Sequence, residues 1–107
     1  MANSFGKDVL IQAEDPSAAA RFYVEQLGFR ITDANPNMIG ISGPNINLFI
    51  EPGPALGPVL EIFVDDVEAT KRRLVGAGAT IIKDERAVPR VYIRDPHGLI
   101  YNLAKKG

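Results

Sequence analysis

Carboxylates stand at Asp8, Glu51 and Glu61, side-chain amides at Gln12, Asn47 and Asn102, a phenol at Tyr92 and a guanidinium at Arg90. A carboxylate beside a phenol can serve as a general base. Carboxylates grouped with imidazoles can hold a divalent ion. An arginine can clamp a carboxylate or phosphate through two hydrogen bonds, and each amide brings two donors and an acceptor. The one histidine, His97, lies within Asp-Pro-His-Gly at 95–98. That order of residues suits a type I turn, so His97 is expected to be an exposed turn residue. There is no cysteine, which excludes disulfides, thiolate ligands and a cysteine nucleophile. No glycine-rich phosphate loop, nucleophile elbow or nucleic-acid motif is visible.

The elements that must position these residues are written twice. Residues 9–31 and 60–82 share an order: an alternating apolar run, an acidic pair, a helical stretch, a glycine and a β-rich run. Asp15 matches Asp66 as a helix N-cap, with Pro16 at the first helical position. Gly28 and Gly78 suit left-handed helix ends. The spacing predicts that one helix buries Ala19, Phe22, Tyr23 and Leu27, and the other Val67, Thr70, Leu74 and Val75. Lys71–Arg73 read as a solvated helix face. Short strands are expected at about 29–33, 37–42, 46–51, 79–84, 90–94 and 99–104. The chain thus reads as one α+β domain over 1–107, with module one at 7–51, an irregular linker at 52–58 and module two at 59–104. Each module is βαβββ.

Strand parity sorts the side chains. Val9, Ile11, Ile39, Ile41, Ile46, Leu48, Ile50, Leu60, Ile62, Val64, Val91, Ile93, Leu99, Tyr101 and Leu103 should pack beneath the helices. The opposite set carries Gln12, Asn47, Phe49, Glu51, Glu61, Phe63, Arg90, Tyr92 and Asn102. These nine are the candidate ligand-binding residues, and Glu51, Glu61 and Tyr92 are the candidates for catalysis.

The 107 residues carry a net charge of −1, so no long-range field draws the chain to nucleic acid or an anionic membrane. The first residues lack a signal-peptide pattern, and no apolar run nears the ~20 residues of a membrane span. A cytoplasmic domain is expected.

The stretches at 14–29, 64–79 and 95–103 together resemble the vicinal oxygen chelate superfamily, which includes glyoxalase I, extradiol dioxygenases and bleomycin-resistance proteins. The resemblance implies the glyoxalase/bleomycin-resistance fold: two βαβββ modules, a curved mixed sheet, a concave ligand cleft and often a homodimer. It also places the ligands of metal-dependent members at Asp8, Asn47, Val59 and Asn102. Valine offers no donor and asparagine only a neutral carbonyl. No cofactor is therefore expected, with a divalent metal as the alternative, held by Asp8, Glu51 or Glu61. Asn47 and Asn102 read as equivalent residues of the two modules, either structural amides or ligand contacts. The function expected is sequestration of a small polar or aromatic compound, as in antibiotic resistance. The alternatives are a metalloenzyme with a rebuilt site and a metal-free lyase or isomerase.

Overall fold

The computed structural model describes residues 4–35, 37–85 and 90–106. They form nine strands and two helices, in two compact units. Module one occupies Lys7–Pro58; module two occupies Val59–Gly107 together with Met1–Gly6.

In module one, β2 (Asp8–Ala13) leads into α1 (Pro16–Leu27), then β3 (Arg30–Asn35), β4 (Met38–Ser42) and β5 (Asn47–Pro52). The strands lie in the order β3-β4-β5-β2, with β2 parallel to β5 and the other pairs antiparallel. Module two repeats the plan with β6 (Leu56–Val64), α2 (Val67–Gly76), β7 (Thr80–Glu85), β8 (Arg90–Arg94) and β9 (Ile100–Lys105). Its strand order is β7-β8-β9-β6, again with one parallel pair. A further strand, β1 (Ser4–Phe5), pairs antiparallel with β6. The two βαβββ modules expected from the sequence are present.

The local reasons are as expected. Asp15 Oδ1 accepts the amide of Ala18 at 3.1 Å, and Asp66 Oδ1 accepts that of Ala69 at 3.0 Å, so both helices begin on a carboxylate cap. Gly28 closes α1 at φ 83°, which a side chain would disfavour. Strand β6 starts at Leu56 and takes up residues expected to be an irregular linker. Proline at 58 reads as a breaker, but the first residues of a strand tolerate it.

Each module has its own apolar cluster. In module one, Ala20, Ile41 and Ile50 are buried, with Ile11, Tyr23, Val24 and Phe29 packed on them. In module two, Val64, Val91, Ile93, Tyr101 and Leu103 are buried, with Val67 and Leu74 against them. Several expectations fail here. Phe22 is 58% exposed and Leu27 63%. The predicted Ala19 and Tyr23 do pack on the core, but Ala20 and Val24 join them in place of Phe22 and Leu27. Val75 is exposed as well, as are Ile46 and Leu99 at strand entries. Lys71 is not a solvated residue but is 8% exposed, its Nζ donating to Asp84 Oδ2 at 2.8 Å and Glu68 Oε1 at 3.0 Å.

Candidate functional site

Residues directly opposite in paired strands point to the same side, so register places the candidate residues more firmly than parity does. In module two, Glu61 on β6 lies opposite Asn102 on β9. Asn102 in turn lies opposite Tyr92 on β8, and Tyr92 opposite Lys83 on β7. Acid, amide, phenol and ammonium thus form one row across four strands. Adjacent strands are about 4.8 Å apart, so the Glu61 and Tyr92 backbones are roughly 10 Å from each other.

The members of this row are held in place. Asn102 Oδ1 accepts the backbone amide of Val91 at 3.0 Å, so the amide group of Asn102 must present its N–H donors elsewhere. Tyr92 is only 2% exposed. Lys83 Nζ and the Arg90 guanidinium lie 5.6 and 5.8 Å from its ring centroid, within cation–π range. The amide of Gly6 donates to the carbonyl of Glu61 at 3.0 Å. A methyl group at residue 6 would collide with the Glu61 carboxylate and press on the Phe63 ring, so glycine leaves both side chains their room. Glu61, Phe63, Tyr92 and Asn102 are therefore brought together on one face. Lys83 was not singled out from sequence. A register shift between Ile81 and Lys83 sets its facing, and no sequence signal marks that shift.

Module one carries a different row at the matching place. Leu10 lies opposite Phe49, and Phe49 opposite Gly40. The Phe49 ring fills the space beside Gly40, where an added Cβ would stand 3.2 Å from it. To one side of this apolar row, Asn47 lies opposite Asp8 and donates from Nδ2 to Asp8 Oδ1 at 2.9 Å. To the other, Gln12 lies opposite Glu51 and packs over Gly53. His97 is exposed in its turn, where Asp95 Oδ1 accepts the amides of His97 and Leu99 at 2.9 and 3.0 Å.

The register corrects the equivalence expected for the asparagines. Asp8 of module one matches Val59 of module two; Asp8 pairs with Asn47, but Val59 pairs with Ile100. Asn102 falls two residues further on, at the place of Phe49. The repeated Asn-Leu dipeptide suggested a match that backbone pairing does not keep.

A family model for a glyoxalase-like domain matches residues 8–104. The chain belongs to this family. It is thereby a member of the vicinal oxygen chelate superfamily. The comparison with curated proteins gives no match. Among solved structures, the glyoxalase-like chain is similar to a glyoxalase/bleomycin resistance protein/dioxygenase superfamily member from Vibrio splendidus 12B01. That likeness has 14% identity and a TM-score of 0.63, covering 96% of this chain and 100% of that one. It is similar to a hypothetical protein, BH1468, from Bacillus halodurans C-125, with 15% identity, TM-score 0.62, and coverage of 100% and 96%. It also resembles homoprotocatechuate 2,3-dioxygenase from B. fuscum (H200Q variant), with 19% identity and TM-score 0.61 over 97% of this chain but 33% of that one. At such identities these likenesses speak for the fold.

The positions that the superfamily resemblance assigns to metal ligands can be tested in each module of the glyoxalase-like chain. In module one, the Asp8 carboxylate already accepts from Asn47. In module two, Val59 is a core residue, 2% exposed, and the Asn102 carbonyl is taken by Val91. These residues do not fit a divalent ion that wants imidazole and carboxylate donors. Among the described residues, no three His, Cys, Asp or Glu side chains are grouped as metal ligands would be. No described helix is long and apolar enough to cross a membrane.

Proposed function

We propose that this glyoxalase-like protein binds a small organic molecule on the helix-free face of its sheet, without a divalent ion, and sequesters it. The row Glu61–Asn102–Tyr92 carries this reading. It offers a carboxylate and amide N–H donors in register on adjacent strands, with Phe63 beside Glu61. Tyr92, buried under Lys83 and Arg90, shapes the row from below rather than meeting the ligand first. A few polar groups among apolar and aromatic ones suit a ligand with a polar end and a planar body. Holding a toxic compound in this way is the antibiotic-resistance role the resemblance implies, in a cytoplasmic homodimer.

A thermal-shift screen of small aromatic amides, phenols and carboxylates tests the reading, with Phe63→Ala and Glu61→Gln as controls. Binding of any hit should fall with both variants. A hit indifferent to both would overturn the assignment of the face. A second reading, a metal-free lyase or isomerase, draws on the same row: Glu61 is then a general base flanked by Asn102 N–H donors that polarise a carbonyl. Turnover of a bound carbonyl compound, lost in Glu61→Gln while binding persists, would favour that reading over sequestration.

A further inference from the structure

We propose that module two carries a second small-molecule site, on the helix side of its sheet, that takes a compound with an apolar body and one carboxylate. A pocket of about 520 Å³ opens between the first turn of α2 and strands β7, β8 and β9. Its floor is aliphatic, made by Val67, Val91 and Leu103. A hollow of several hundred cubic ångströms with such a floor suits a small organic molecule. It is separate from the row described above. Asp84 lies opposite Val91 and so shares its side of the sheet, whereas the neighbouring Tyr92 and Asn102 point the other way.

The charges around the pocket choose the ligand. Glu68, Asp84 and Glu85 stand on its wall. Each already faces a lysine: Lys71 Nζ is 2.9 Å from Glu68 and 2.8 Å from Asp84, and Lys83 Nζ is 3.6 Å from Glu85. Across the pocket stand Arg90 and Lys105. Arg90 is drawn to the Tyr92 ring. Lys105 is exposed, and among the described residues no carboxylate holds it. The positive end of the α2 dipole lies at Val67, on the same pocket. Lys71 is shared by Glu68 and Asp84, while Lys105 has no carboxylate partner among the described residues, so an anion that reaches Lys105 and lays an apolar tail on the floor complements the pocket better than a cation does.

The test is an NMR titration of the full chain with three probes of equal length: hexanoate, hexanol and hexylamine. Hexanoate should shift the methyl signals of Val67, Val91 and Leu103 and bind more tightly than the other two. Lys105→Gln, an exposed change that spares the fold, should weaken hexanoate about threefold and leave hexanol unchanged. Val67→Phe, which narrows the pocket at the first turn of α2, should weaken all three. The proposal is overturned if hexylamine binds as tightly as hexanoate, if hexanoate shifts none of these methyls, or if Lys105→Gln changes nothing.

Discussion

Asn102 Oδ1 accepts the backbone amide of Val91 at 3.0 Å, a side chain standing in for a strand partner. The bond joins β9 to β8 beside the Glu61–Asn102–Tyr92 row, so it supports both fold and site. Val91 is buried, and Asn102→Ala would leave its N–H without an acceptor. The expected loss is about 1–3 kcal/mol of unfolding free energy. Asn102→Asp keeps an acceptor for Val91 and should retain most of that stability, while placing a second carboxylate opposite Glu61. Urea unfolding of the two variants separates the structural share of Asn102 from its share in binding.

Two groups make stability fall in alkali. Hydrogen bonds to Asp84 and then Glu68 hold the Lys71 pKa above its ordinary 10.5. Burial, helped by the charge of Asp95, pushes the Tyr101 phenol above 10.0. Both pKa values are higher folded than unfolded. The stability they contribute is therefore whole below the ordinary values and is lost as pH rises through the raised ones. The melting temperature should hold through neutral pH and fall above about pH 10. Lys71→Met should lower it at neutral pH, and the double change with Tyr101→Phe should flatten the alkaline fall.

His97 supplies a backbone N–H to a turn. Asp95 Oδ1 gathers the amides of His97 and Leu99, and Gly98 N–H closes on the Asp95 carbonyl at 3.1 Å. Replacing His97 by alanine should leave stability within roughly 0.5 kcal/mol and ligand binding unchanged. Asp95→Ala removes the acceptor and should cost about 1 kcal/mol or more. Denaturant curves and the affinity of a screened ligand check both.

The elements and their caps were legible because local chemistry dictates them. Asp15 and Asp66 cap whatever follows, and alternation in Leu60, Ile62 and Val64 needs only a half-buried strand. The face of α1 was not legible, because apolar residues surround it. Ala19, Ala20, Phe22, Tyr23, Val24 and Leu27 allow more than one inward stripe, and packing against Ile41 and Ile50 took Ala19, Ala20, Tyr23 and Val24 and left Phe22 and Leu27 outside. The pairing of Asn102 was hidden for another reason. Asn-Leu occurs in both modules, yet backbone register moves it by two residues, which preserves its facing but changes its neighbours. Lys71 looked solvated because Lys-Arg-Arg usually is; its acceptor Asp84 is set by the register of β7, which no helix pattern reports.

Gly6 offers the sharpest separation of site from fold. Its Cα lies against the end of the Glu61 side chain, with the Phe63 ring close by. Gly6→Ala places a methyl group where the Glu61 carboxylate now rests. That carboxylate ends a flexible chain and can swing away, and Phe63 needs to move only slightly, so the fold should survive with a small loss of stability. Glu61 would then no longer lie in line with Asn102. If the row binds the ligand through Glu61, affinity should fall about tenfold, the worth of one charged hydrogen bond. Glu61→Gln should weaken the same ligand, and Gly6→Ala in that background should add little further loss. Calorimetric titration of the four proteins measures this coupling. Equal, additive losses would mean that Gly6 acts on binding by a route other than Glu61.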